Sequence, residues 1–293
     1  MSFAEQERAL FDLLFDTALR ERFIKNDSIA LTEYQLTTEE LADFAVINPH
    51  GLALDANVRV DLILGQWCRT LPLTFSLLSS LTGGLLLLRR FVDSQTMRHA
   101  PIERVVFFAT RLRQALIAEP AVALDELAFI VAILDAELGM ASTGASLKKT
   151  VLMSYSAETA KAGLSDRWLT QPVTLAANVS AAMIPLSYSR LKKALCPFSG
   201  AELWRYLNKT PLLAVERQRL WQQADTRLLV VKAKISTLSD SDPTIDHVSL
   251  ELAEGFASLF EYVNGTMSVQ QILQQLQQIG APASLVQSIK QGF

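Results

Sequence analysis

The sequence predicts a mainly α chain, an N-terminal helical bundle followed by a small C-terminal α+β unit, and three observations carry that prediction. Apolar residues recur at helical spacing through most of the first 165 positions. Arg227 to Ile235 is rich in Val and Ile and alternates weakly, which reads as a strand. After the polar turn Ser239 to Pro243, a second apolar run, Ile245 to Leu250, can pair back onto it.

Taken in order, Ala4 to Ile24 places Leu10, Leu13, Leu14, Leu19 and Phe23 along one face of a first helix. Thr37 and Glu40 form the two ends of a capping box that announces a second helix, ending before the turn Asn48 to Gly51. Further helices are expected from about Asp55 to Cys68, Leu73 to Ser80, Ile102 to Ile117 and Leu124 to Leu138. Short connections favour a compact bundle. Gly139 to Thr150 shifts to Met, Ala, Ser, Thr and Gly and reads as a mobile loop, with helix resuming around Leu152 to Ala162. Val173 to Ser187 is expected as a strand pair or an extended crossing segment, and Trp204 to Trp221 as helix. The two C-terminal strands are followed by a helix over Glu251 to Val263, a stop at Asn264 and Gly265, a helix opened by Ser268, and a last one ending at Phe293. That order is winged-helix-like. The expected domains are 1–165, the bundle, and 166–293, a connecting segment with the winged-helix-like module.

Composition narrows the function classes. Half of the 293 residues are apolar and 19% are charged, with a net charge of −3. A generic nucleic-acid binder would carry a basic excess, so this balance argues against one. Two cysteines far apart give no disulfide framework, and the cytoplasm is the default compartment. Thr70 to Leu88 holds no charge, long enough for a membrane span. However, Pro72, six Ser or Thr residues and Gly83 with Gly84 make lipid transfer unfavourable, so a core helix broken at the glycines is expected. Met1 to Glu5 runs at once into charged amphipathic helix, which does not read as a signal peptide.

Catalytic patterns are missing. His50, His99 and His247 stand at no metal-ligand spacing, so neither a metal site nor a cofactor is expected. The sequence has no Gly-x-Ser-x-Gly elbow and no phosphate-cradling glycine loop. Cys68 on an apolar helical face reads as a buried structural thiol. The weight moves toward a binding protein. One charged feature stands out: Arg89, Arg90, Arg98, Arg104, Arg111 and Arg113 are opposed only by Asp93 and Glu103. They read either as a solvated helix face or as a docking face for an acidic partner. In the second reading Arg98, Arg104, Arg111 and Arg113 are the partner-binding candidates.

The stretches Leu228 to Ile235 and Val248 to Thr266, with Leu36 to Leu41 preceded by Phe23 and Ala30, carry a resemblance. The chain resembles the partner subunits, of the methanobactin type, of multinuclear non-heme iron oxidative enzymes that make ribosomally synthesised, modified peptides. The resemblance implies that the iron belongs to the other subunit and that this chain binds the leader of a precursor peptide. Its physical mode is strand addition to an exposed sheet edge. Leu228, Val230, Lys232 and Lys234 are expected on that edge, with Phe256 and Phe260 lining the groove or else packing in the core. The competing reading is a winged-helix regulator whose helix from Ser268 enters DNA. Its exposed side chains are glutamines without Arg or Lys, so phosphate contacts would be few.

Overall fold

The computed structural model describes residues 3–25, 29–118, 123–154, 172–223, 225–237, 244–254, 257, 260 and 262–278, and it is mainly helical. The expected helix from Ala4 to Ile24 is two helices, α1 (Phe3–Phe15) and α2 (Thr17–Ile24). Asp16 breaks it: its backbone is extended and its carboxylate accepts the Leu19 amide at 3.0 Å, the geometry of an N-cap. Arg20 donates to the Leu13 and Leu14 carbonyls at 3.0 Å each and so satisfies the end of α1. The capping box before α3 (Thr38–Ala45) forms as expected, with Glu40 accepting from the Thr37 amide at 2.7 Å.

The next helix, α4 (Pro49–Thr70), begins a turn and a half before the expected start. Asn48 accepts the His50 and Gly51 amides, and Pro49 occupies the first helical position, where its missing N–H costs nothing. The same four residues thus start a helix rather than form a turn.

The uncharged stretch folds as α5 (Pro72–Ser79), buried at every residue, and α6 (Gly84–Arg90). Gly83 between them has φ +75°, and a Cβ on Gly84 would stand only 1.9 Å from the Leu78 carbonyl oxygen. No other residue fits there without moving backbone. Then follow α7 (Ser94–Met97), α8 (Arg104–Ala118) and α9 (Leu124–Ser154). The loop expected over Gly139 to Thr150 is helix. Its two glycines cost about 1 kcal/mol each relative to alanine. Burial of Ile130, Ile133, Leu134, Met140 and Ala141 on the same helix offsets that. Within α9, Leu124–Val151 is the one helix among the described residues long and apolar enough to cross a membrane, and 56% of its window is buried inside the fold.

By internal contacts the chain divides into two units that interleave in sequence, where consecutive domains 1–165 and 166–293 were expected. The first comprises Met1–Ala141 and Ser189–Ala224. Residues beyond the expected boundary return to it as most of α10 (Tyr188–Leu195), with α11 (Gly200–Lys209) and α12 (Ala214–Gln222). Helix α11 lies close on α4, since a Cβ on Gly65 would reach 3.1 Å from Ala201. Phe75 sits at the centre, its ring 6.2 Å from Phe108 and 5.7 Å from Trp204.

The second unit, Ser142–Tyr188 and Asp225–Phe293, carries two sheets. Strand β1 (Pro172–Thr174) pairs with β5 (Asn264–Ser268), and β2 (Val179–Ile184) pairs with β3 (Arg227–Thr237), which pairs with β4 (Thr244–Ala253), all antiparallel. Asn178 and Ala233 extend the β2–β3 ladder by a reciprocal backbone and side-chain pair. Of the helix expected over Glu251 to Val263, Glu251 to Ala253 belong to β4 and the described residues Ala257 and Phe260 are helical, while its expected stop at Asn264 and Gly265 is the start of β5. The helix opened by Ser268 is α13 (Val269–Gln278), where Gln271 accepts the Ser268 amide at 2.8 Å. The helices expected around Leu152 to Ala162 and up to Phe293 fall largely or wholly outside the described residues.

Candidate functional site

In the second unit, register fixes which residues share a face of the three-stranded sheet. Leu228, Val230 and Lys232 stand opposite Met183, Ala181 and Val179 on β2, and opposite Leu252, Leu250 and Val248 on β4. The alternate residues Leu229, Val231 and Ala233 point to the other face and are fully buried. The first face is open except at its Leu228 end, since Leu228 is buried. Lys232 and Lys234 are exposed, Val230 is half-buried, and Val248 and Leu250 are 53% and 57% exposed.

The candidate residues Leu228, Val230, Lys232 and Lys234 lie together as expected, yet not on an edge. Strand β3 is the middle strand, with β2 on one side and β4 on the other, so its backbone groups are already engaged. An added strand has no place there. Among the described residues, β4 pairs with no strand on its outer side, which makes it an edge strand with Val248 and Leu250 exposed on it. The sequence held a signal for this: Val248, Leu250 and Leu252 recur with period two. What it hid was the pairing of β2 with β3, which turns the expected edge into the centre. Phe260 is helical and half-buried, and Phe256 lies outside the described residues.

The four partner-binding candidates sit in the first unit, each with an internal partner. Arg98 donates to both Asp12 oxygens at 2.7 Å, and Tyr34 donates to the same carboxylate at 3.0 Å. Arg111 holds Asp93 at 2.7 Å, Arg113 bonds Asp135, and Arg104 donates to the His99 carbonyl at 2.9 Å. Arg104, Arg111 and Arg113 stand on α8 and Arg98 at the end of α7, and each is taken up by a group within the unit. They do not form one unopposed face.

One of them, Arg98, nevertheless borders an open cleft of about 930 Å³. Arg98 and Asp93 line it, together with Arg8, Tyr34, Leu86 and Arg90. Burial and the Asp12 hydrogen bond push the Tyr34 phenol above its ordinary range, so it acts as a donor to that carboxylate.

Among the described residues no three His, Cys, Asp or Glu side chains cluster as metal ligands. Burial pushes the Cys68 thiol well up and the Cys196 thiol up to about 11, which keeps both protonated and inert near neutral pH. The Ser76 hydroxyl lies 3.7 Å from the Cys196 sulfur and is shared with the Pro72 and Leu195 carbonyls. Compared with protein-family models, curated proteins and solved structures, the chain matches none.

Proposed function

We propose that the chain is a non-catalytic partner protein that binds the leader of a ribosomal precursor peptide along β4 and presents it to an iron-dependent oxidative enzyme. The observation that carries the peptide half is the open edge of β4, with Val248 and Leu250 more than half exposed on the face that also holds Lys232 and Lys234. An extended peptide added there gains main-chain hydrogen bonds for affinity, and its alternate side chains meet Val248 and Leu250 for specificity. The enzyme half rests on the resemblance of Leu228 to Ile235 and Val248 to Thr266 to such partner subunits. Two free cysteines fit a reducing cytoplasm. The winged-helix regulator gains no support from α13, which carries no Lys or Arg.

Co-expression with the products of neighbouring genes tests the reading. A stoichiometric complex with an iron-containing enzyme and a short precursor peptide is the expected result. A chain that co-purifies with neither overturns it.

A further inference from the structure

Strand register settles which charges share the open face of the three-stranded sheet. Between the Leu228 row and the Lys234 row, every paired residue on that face is apolar except Lys232, Lys234 and Asp246. Two ammonium groups therefore stand over one carboxylate. Lys234 lies directly opposite Asp246, so the sheet supplies its counter-charge. Lys232 has Val248 across from it on β4 and Val179 on β2, with no carboxylate in its row. Lys232, Asp246, Val248 and Leu250 are all exposed.

The other face is taken. Leu229, Val231 and Ala233 are buried on it, and a Cβ on Gly144 of α9 would stand 3.5 Å from the His247 ring, which lies opposite Ala233. A strand added outside β4 is therefore read through the side chains it lays on the open face. Such a strand lies about 10 Å from β3, two strand spacings away. The Lys232 stem can run across Val248 with its ammonium on the far side, and a glutamate reaching back closes that distance. An apolar side chain in the same row would crowd the ammonium without pairing it. In the next row Asp246 repels a second carboxylate, and in the row on the other side Leu250 asks for an apolar neighbour.

We propose that β4 selects an extended segment with one acidic side chain beside Val248, paired to Lys232, and a large apolar side chain two positions away beside Leu250. The proposal rests on the reading of β4 as the leader-binding edge and adds the chemistry that the edge selects.

Three labelled synthetic peptides test it. Each alternates with threonine and carries leucine at one position, and two positions away stands glutamate, glutamine or lysine. Titrated onto the full chain by fluorescence anisotropy at low salt, the glutamate peptide is expected to bind about threefold tighter than the glutamine one and about tenfold tighter than the lysine one. Lys232→Gln is expected to erase the glutamate preference while the glutamine peptide binds as before. Lys232→Glu is expected to reverse the order, and Asp246→Asn to tighten the glutamate peptide. These positions are exposed, and urea denaturation checks that the variants fold. A glutamate preference that survives Lys232→Gln overturns the proposal. Equal binding of all three peptides, abolished by Val248→Thr with Leu250→Thr, overturns the charge selection and leaves β4 as a peptide edge. Binding by none overturns both. Self-association of the chain that the same double variant abolishes also overturns the proposal, because a second copy would then occupy the edge.

Discussion

The Glu137 carboxylate accepts the backbone N–H of Thr74 at 2.9 Å across 63 residues of sequence, and through its other oxygen that of Leu73 at the same distance. Helix α5 has no side-chain cap of its own, since Leu71 precedes it and Pro72 fills its first position. A fully buried carboxylate from α9 supplies what a local Ser or Asp usually does, and its charge lies at the positive end of the helix dipole. Glu137→Ala would orphan two buried amides. We expect a loss of about 3 kcal/mol, read by urea denaturation. A loss below about 1 kcal/mol would mean that α5 is held by packing alone.

A second long-range polar pair makes the opposite point about how such groups contribute. Arg217 and Glu126 form an ion pair with both side chains more than nine-tenths buried, and Arg217 also donates to the Ser80 carbonyl at 3.0 Å. Removing either partner leaves an uncompensated buried charge, which costs about 3–5 kcal/mol. Replacing both with Met is expected to recover most of that loss. A double-mutant cycle measures it, and additive single losses would contradict the coupling.

The thiols give a pH prediction. Burial raises the Cys196 thiol from an ordinary 9.0 to about 11, so the fold favours the protonated form. The corresponding stability is present below pH 9 and is lost as pH rises through about 11. At pH 8 the thiolate fraction is small. Disulfide-exchange labelling of the native chain is therefore expected at least about tenfold slower than in urea. Labelling at equal rates in both would show that Cys196 is open to solvent.

How much of this was legible follows from where each partner sits in the chain. The Thr37 capping box and the strands from Arg227 and Ile245 were readable because every residue that decides them is a close sequence neighbour. The break between α5 and α6 was readable because Gly83 and Gly84 mark it directly. Asn48 to Gly51 misled because Pro after Asn serves equally as a turn and as a helix start, and packing of Leu52 and Ala56 decides for the helix. Glu137, Glu126 and the arginine partners are invisible in sequence, since each is met by a residue from another element. The middle position of β3 is of the same kind: it depends on β2, more than forty residues upstream.

The two faces of the small sheet differ in burial. Leu229 is 1% exposed, so Leu229→Ala removes packed volume and is expected to cost about 2–5 kcal/mol. Val248 and Leu250 on the other face contribute little to packing, and replacing both with Thr is expected to change stability by no more than about 0.5 kcal/mol. Threonine keeps strand propensity, so β4 stays formed while its apolar side chains are removed. If the edge of β4 holds the leader peptide, the double variant is expected to bind it about tenfold more weakly despite its unchanged denaturation curve. Anisotropy with a labelled leader beside urea titration reads both quantities on one preparation. Unchanged affinity in a folded Val248→Thr, Leu250→Thr chain would move the peptide off this edge, and β2 would be the remaining outer strand to test.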